Sequence, residues 1–469
     1  MIPLSLQEIA TIVEGRVEGD PDISVTAPAT VDSRSVAEGG LFVALPGEHV
    51  DGHDFASSAI AAGAAGVLST RPTGEAGVVV GDALVALGRL AREVLHRLDA
   101  TVIAVTGSQG KTTTKDLLAA VLGAAGPTVA THGSLNNEIG LPLTVLRADA
   151  ATRYLVLEMG ARGRGHLSYL CDIAQPQVSL VLNVGTAHIG EFGSQEEIAR
   201  AKSEIVSALG EGGTAVLNAD DPLVAAMAGL APGRVVTFGE SPGSTLRLEG
   251  LTLDDGGRPG FDVIEGPDRS HVTLRLVGEH QAFNAAAALA VGTALGLPLA
   301  DGVRALEEVE GTSKWRMQVL EAEAGITVVN DSYNANPASM RAALKALAAM
   351  GSARPDGTRT VAVLGEMLEL GESSQDEHDA IGRLAVRLDI NQLLVIGEPA
   401  RPLHLGASLE GSWGRESVFV PDKEAAATWL RENLRPGDLV LLKASRGVGL
   451  EELADVVAQT AHELAGAAS

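Results

Sequence analysis

Residues 106–113 read Thr-Gly-Ser-Gln-Gly-Lys-Thr-Thr, a set of side chains suited to holding a polyphosphate. Gly107 and Gly110 free the backbone so that N–H groups around Ser108 and Gln109 can wrap phosphate oxygens. Lys111 can reach the terminal phosphates, Thr112 can place a hydroxyl on Mg²⁺, and Thr106 and Thr113 flank the turn. The pattern departs from G-x-x-x-x-G-K-[ST] at one place, Val105, where the first glycine belongs. An apolar, strand-like run at 101–106 precedes the loop and a helical stretch at 114–122 follows it, the context such a loop requires. Nucleoside-triphosphate binding is the strongest inference from the residues; the alternative is a glycine-rich turn carrying an incidental lysine.

A triphosphate site needs a carboxylate at a neighbouring strand end to hold its metal. Glu158 ends the apolar run Tyr154-Leu-Val-Leu, and His188 follows a strand expected at 178–184, at the same edge of a parallel sheet. Either residue could equally be a plain cap. Lys202 lies in a helix expected to begin at the capping box Ser194-Gln-Glu-Glu197 and to run to about residue 209. At ~100° per residue it falls among Ile198, Ile205, Val206 and Leu209, while Glu196, Glu197, Arg200 and Glu204 point away. It either snorkels along that apolar face or is buried. A buried lysine tends to lose its proton, and a neutral amine can take up CO₂ as a carbamate with two metal-binding oxygens.

Other groupings are open to two readings each. His280 and Asn284 stand four apart at a helix start, suited to a purine or to a cap with a buried amide. Arg316 follows Trp315 at a boundary, as a phosphate-binding or an ordinary hinge arginine. Asp331-Ser-Tyr333-Asn334-Ala-Asn336 carries five hydrogen-bonding side chains in six residues, as ligand binders or as turn formers. Residues 365–371 and the run Lys443-Ala-Ser445-Arg446 follow strands nearby and complete one expected rim.

The elements that must position these residues form an α/β chain of roughly three domains, judged at ~150 residues per domain. Residues 1–98 hold a capping box at Ser5–Glu8, short strands near 41–45 and 78–80, and a helix at 83–98. Residues 99–313 alternate strands and helices in the manner of a parallel sheet. Residues 314–469 carry strands at 326–329, 360–364, 392–396 and 438–443, a Rossmann-like layering without a GxGxxG fingerprint. The chain has 469 residues, 45% of them hydrophobic and 20% charged, a composition typical of soluble globular proteins. A net charge of −25 argues against a general nucleic-acid binder. The lone cysteine, Cys171, excludes a disulfide framework and suits a reducing, cytoplasmic setting. Neither a signal peptide nor a membrane span is expected. Arginine outnumbers lysine 28 to 7, so each lysine invites the question of what arginine could not do there.

The loop TGSQGKTTTK (106–115) is similar to that of the Mur ligases and their folylpolyglutamate synthase relatives. SLNNEIGLPLTVL (134–146), GTAHIGEFGS (185–194), AKSEI (201–205), GEHQAFNAAAA (278–288), NDSYNANP (330–337) and LGEMLELG (364–371) resemble the Mur branch that joins D-alanyl-D-alanine to UDP-N-acetylmuramoyl-tripeptide. VDSR (31–34) with LFVALPGEHVDGHDF (41–55) resembles a uridine-nucleotide-binding domain of that family. The resemblance implies three α/β domains: an N-terminal domain for the UDP substrate, a central ATP-binding domain and a C-terminal Rossmann-like domain. It implies Thr112 and Glu158 on one Mg²⁺, and His188 and carbamylated Lys202 on a second. Lys111, Arg316 and Asp331 would serve ATP, and His280 and Asn284 its adenine. Asn136 and Asn137, with Tyr333, Asn334 and Asn336, would face the acceptor peptide. Ser33 and Arg34 would lie near the uridine, and Lys443, Ser445 and Arg446 on the C-terminal side. The implied reaction passes through an acyl phosphate in a cytoplasmic monomer of peptidoglycan precursor synthesis. No residue marks itself as the base for the incoming amine.

Two rivals remain: another amino-acid ligase on the same scaffold, such as a folylpolyglutamate synthase, and a nucleotide-gated ATPase that ligates nothing. The roughly 100 residues before the phosphate loop oppose the first. Lys202 on an apolar face opposes the second.

Overall fold

The apolar run before the phosphate loop becomes the strand Thr101–Thr106, at the heart of a nine-stranded sheet. In this computed structural model the described residues are 1–469 except 48–49, 186–188, 312, 355–357, 412–415 and 468–469. Tyr154–Glu158 and Val178–Val181 flank Thr101–Thr106 in parallel, with Glu158 level with Val105 and Val181 level with Thr106. That register brings the ends of three strands to the edge where the phosphate loop leaves the sheet, the edge that carries ligands in open parallel sheets.

The sheet continues in parallel from Val178–Val181 through Thr214–Asn218 to Arg234–Gly239, and Thr128–Ala130 closes the other side. Leu246–Leu253 still pairs parallel with Arg234–Gly239, and beyond it the expected parallel rhythm stops. Leu246–Leu253, Pro259–Glu265 and Asp268–Thr273 form an antiparallel meander that extends the edge. Its turns use Gly257 and Gly266, both at positive φ, and every second residue faces the core: Leu246, Leu248, Phe261, Val263 and Val272 are buried. The phosphate-loop helix Lys111–Gly123 packs against His280–Ala294, whose run of buried alanines at 285–288 allows the two helices close approach.

The N-terminal unit has a sheet of five short strands in the order Arg16–Glu18, Gly77–Val79, Gly66–Ser69, Leu41–Val43, Ala29–Thr30, parallel except for the first pair, and a separate antiparallel pair, Leu4–Ser5 with Ser24–Val25. Ser5 and Glu8 cap helix Leu6–Val13 reciprocally, as their spacing predicts. This helix and Ala83–His96 lie in one apolar core that runs on without a break into the central unit, through Leu141, Leu157 and Leu167. The C-terminal sheet runs Gln318–Glu321, Thr327–Asn330, Leu439–Lys443, Thr360–Leu364, Gln392–Ile396, Ser417–Val420, parallel except for its first strand. Strands Thr101–Thr106, Thr360–Leu364 and Gln392–Ile396 have the expected bounds, and other element ends differ by one to three residues, because the last turn or bridge depends on packing. Among the described residues no helix is long and apolar enough to cross a membrane.

In the C-terminal unit, helices Ser374–Arg387 and Arg401–Glu410 meet backbone to backbone at Gly382 and Gly406. A Cβ on Gly382 would collide with the Leu403 carbonyl, and one on Gly406 with that of Asp379. Gly382→Ala is therefore expected to cost this unit about 1–3 kcal/mol through forced separation of the helices. Urea unfolding followed by a C-terminal fluorophore checks it; an unchanged midpoint would refute the contact.

Candidate active site

The phosphate loop is held in shape from beneath. Asn183, just past Val178–Val181, accepts through Oδ1 from the backbone N–H of Ser108 (3.1 Å) and Gln109 (3.0 Å), and donates through Nδ2 to the Gln109 carbonyl (3.2 Å). Ser108 Oγ accepts from the Gly185 N–H at 2.9 Å. Gly110 caps the helix in the left-handed region at φ 80°, and a Cβ there would meet Asn284 Oδ1 at 2.6 Å. Lys111 folds back so that Nζ donates to the Gly107 carbonyl at 2.8 Å, across the mouth of the loop. Burial and the nearby Arg316 pull the Lys111 ammonium below its ordinary value, against the opposing pull of Glu158.

Around this loop lies a cavity of about 510 Å³. Glu158 is 1% exposed. Its Oε1 accepts from Asn136 Nδ2 at 2.6 Å, whereas Oε2 is buried with no hydrogen-bond partner. Arg316 Nη2 reaches Thr112 Oγ1 at 3.3 Å from the C-terminal side, and its Nε is likewise buried without a partner. An orphaned carboxylate oxygen and an orphaned guanidinium N–H facing one cavity are the complements of a cation and an anion. The donor set of Glu158 and Thr112 is all oxygen, which fits a hard ion such as Mg²⁺.

Lys202, on helix Gln195–Ser207, is 5% exposed and lines the same cavity. Its apolar face is where periodicity put it: Ile198, Ile205 and Val206 are buried beside it. Burial, reinforced by Lys111, holds its ammonium well below the ordinary lysine range. Among the described residues its amine has no carboxylate partner. His188 lies outside the described residues, with the adjoining parts of the motif at 185–194.

The C-terminal rim is built from the sheet end at Thr327–Asn330 and Leu439–Lys443. Lys443 Nζ donates to Asp331 Oδ2 (2.5 Å) and to the Asn334 carbonyl (2.9 Å). Asp331 Oδ1 also accepts from the Met317 N–H at 3.0 Å. Asp331 thus anchors the hinge in this arrangement. Burial lowers the Lys443 pKa, as does Arg316, while Asp331 raises it. Arg316 stacks on Tyr333 at 4.1 Å and Arg446 on Trp315 at 4.4 Å. Trp315 and Met317 both sit at positive φ, so the hinge is bent tightly on either side of Arg316. Ser134 and Tyr333 hydrogen-bond across the two units.

The expected residues fall into three groups. Ser108–Thr113, Asn136, Asn137, Glu158, Lys202, His280, Asn284, Arg316, Asp331, Tyr333, Asn334, Asn336 and Lys443 all line the cavity. Thr106, Gly107, Ser445 and Arg446 lie just behind it: Thr106 Oγ1 donates to the Met159 carbonyl, and Ser445 Oγ accepts from the Leu368 N–H. Ser33 and Arg34 sit on a separate 3-10 turn of the N-terminal unit, where Arg34 pairs with Asp32 and is largely exposed. Two residues also do the plainer work. Asn284 bonds Thr114 and Gln281, tying the phosphate-loop helix to its neighbour, and Asn336 caps helix Pro337–Ala353. Asn183 was missed, although its place just after a strand beside the loop was a usable signal. Arg162 and His166, also on the wall, had no such signal.

Three family models match the chain: "Mur ligase family, catalytic domain" over residues 29–99, "Mur ligase middle domain" over 105–292 and "Mur ligase, glutamate ligase domain" over 315–446. The UDP-N-acetylmuramoyl-tripeptide–D-alanyl-D-alanine ligase of Mycobacterium tuberculosis is 46% identical, covering 97% of this chain and 98% of that protein. A solved UDP-N-acetylmuramoylalanyl-D-glutamyl-2,6-diaminopimelate–D-alanyl-D-alanyl ligase from Acinetobacter baumannii superposes with TM-score 0.83 at 31% identity, over 97% of this chain and 98% of that one. MurF ligase from Thermotoga maritima, solved with ADP, superposes with TM-score 0.78 at 31% identity over 94% and 99%.

Asn183→Ala removes three hydrogen bonds from the phosphate loop, worth about 1 kcal/mol each at most. ATP affinity measured by calorimetry should fall by about tenfold to a hundredfold, with the fold retained. Wild-type affinity would show that the loop holds its shape without the asparagine.

Proposed function

The chain belongs to the Mur ligase family, and from that premise we propose that it joins D-alanyl-D-alanine to UDP-N-acetylmuramoyl-tripeptide at the expense of ATP. The observation that carries the reading is one cavity in which the phosphate loop, the half-satisfied Glu158, the buried Lys202 and the hinge Arg316 meet Asn136 and Asn137. The activity belongs to cytoplasmic peptidoglycan precursor synthesis, and so to cell-wall supply, shape and division. A monomer with domains at 1–98, 99–313 and 314–469 is the working unit of this proposal.

The reaction follows from bringing two anions together. The tripeptide's terminal carboxylate attacks the γ-phosphorus, ADP leaves, and an acyl phosphate forms. The dipeptide amine then attacks the acyl carbon through a tetrahedral intermediate, and phosphate leaves. Lys111 and Arg316 offset the repulsion between carboxylate and triphosphate. Asn136 and Asn137 orient the peptide, with Tyr333, Asn334, Asn336 and Lys443 facing the dipeptide side. The His280 ring offers the adenine a platform, and Asn284 sets the helix that carries it. Asp331 holds Arg316 through the hinge backbone, and Ser445 and Arg446 brace that rim. Ser33 and Arg34 serve the uridine end. Thr112 and Glu158 would hold one Mg²⁺ and His188 with carbamylated Lys202 a second, ions that when bound neutralise phosphate charge. Closure of the C-terminal unit keeps water from the acyl phosphate.

Lys202 enters as a neutral amine: its nitrogen bonds the carbon of CO₂ and releases one proton, leaving an anionic carbamate. Burial, with Lys111 nearby, shifts the Lys202 amine toward its neutral form, and arginine has no equivalent.

Phosphate release and product mass with UDP-N-acetylmuramoyl-tripeptide, comparing D-alanyl-D-alanine with D-glutamate, diaminopimelate and a folate plus glutamate, test the reading. Product should form with D-alanyl-D-alanine; ATP turnover indifferent to every acceptor ends the ligase reading. For the carbamate, Lys202→Ala should lose at least about a hundredfold in kcat and recover part of it with added short carboxylates. Lys202→Arg should stay inactive, and a fully active Lys202→Arg would sink the idea.

A further inference from the structure

A second recess opens off the main cavity, with a volume of about 340 Å³, lined by Leu84, Glu138, Arg162, His166 and Tyr169. Arg162 and His166 line both spaces, so the two adjoin. The recess begins beside the reacting end of the site. Asn136, which holds Glu158, lies two residues before Glu138, and its carbonyl accepts from the Gly160 N–H at 2.9 Å. The loops carrying Glu138 and Arg162 therefore run side by side at the carboxyl edge of the sheet.

Its polar groups are of opposite charge. Glu138 Oε2 is buried and has no hydrogen-bond partner, with His166 Nε2 at 3.3 Å. His166 Nδ1 accepts from the Arg162 backbone N–H at 3.2 Å, which leaves the proton of a neutral ring on Nε2, facing Glu138. The Arg162 side chain is exposed and makes no ion pair among the described residues. Burial first, and then Glu138 and Asp82, push the hydroxyl of Tyr169, also on this wall, above its ordinary value. Leu84 closes the recess from the N-terminal unit, where the UDP end of the substrate is proposed to bind. A carboxylate acceptor and a free guanidinium at one recess complement a ligand bearing both an ammonium and a carboxylate.

We propose that this recess is the subsite for the side-chain end of the tripeptide's third residue, and that it selects a zwitterionic end over a lone ammonium. The inference rests on the ligase reading above. A 2,6-diaminopimelyl residue joined through one amine and one carboxyl keeps a free ammonium and carboxylate on its far carbon, whereas a lysyl residue keeps only the ammonium. Glu138 takes the ammonium in either case. Arg162 takes the carboxylate, which only the diaminopimelyl residue offers.

The test compares kcat/KM for UDP-N-acetylmuramoyl-tripeptides ending in diaminopimelate and in lysine, with ATP and D-alanyl-D-alanine saturating. The native chain should favour the diaminopimelyl peptide by at least about tenfold. Arg162→Gln should bring that ratio to about one, chiefly by loss on the diaminopimelyl peptide. Glu138→Gln should lower both peptides by about tenfold while keeping the ratio. Unchanged ATP affinity in both variants shows that they are folded. A native chain that prefers lysine or is indifferent, or an Arg162→Gln variant with the native ratio, overturns the subsite. Absence of product from either peptide with the native chain overturns the ligase reading itself.

Discussion

Positive charge held out of water is the constraint on which the site depends. Lys111, Arg316 and Lys443, beside the amine of Lys202, line one cavity of a protein whose net charge is −25. Burial lowers the pKa of all three lysines. Among the described residues only Lys443 of the three has a carboxylate in contact, Asp331. Lys111 rests on a carbonyl, and Lys202 has no carboxylate partner among the described residues. Such an arrangement is costly when empty and becomes favourable when a polyphosphate arrives. An acidic surface around a cationic interior also confines anion binding to the cleft.

The three units are joined in two different ways. The N-terminal and central units share one apolar core, which makes them a single packed body. The C-terminal unit has its own apolar clusters, which only Val277 of the central unit joins among the described buried residues, and it meets the phosphate-loop side through polar contacts: Arg316 with Thr112 and Ser134 with Tyr333. Asp116 lies on the phosphate-loop helix and accepts from the Ser313 N–H at 2.7 Å, so the loop and the hinge share a residue-level connection. Polar contacts exchange readily with water, whereas a shared core does not. The C-terminal rim is therefore tied to the phosphate-loop side by exchangeable contacts, and the N-terminal unit to the central one by a continuous core.

Much of this was legible beforehand where the signal is local. The strand–loop–helix around Lys111 depends on residues within twenty positions of one another, and so does the apolar face that carries Lys202. The antiparallel meander at 246–273 was missed although Leu246, Leu248, Phe261 and Val263 alternate cleanly, because the βα rhythm before it suggested continuation. The loop at 331–336 does structural work, since Asn336 caps a helix and Asp331 pairs with Lys443, and its side chains also line the cavity. Asn284 likewise is an internal strut as well as part of the wall.

The sequence by itself determined the phosphate loop, the α/β class, the helical face of Lys202 and the family resemblance, since these rest on spacing along the chain. Only the tertiary structure decided which polar atoms remain unsatisfied. Glu158 Oε2, Arg316 Nε and Glu138 Oε2 are orphaned because of what packs around them from residues far away in sequence. Arg34 stands apart on its own turn for the same reason. Periodicity can say which way a side chain points; whether it finds a partner depends on the closing of loops that the local pattern does not encode.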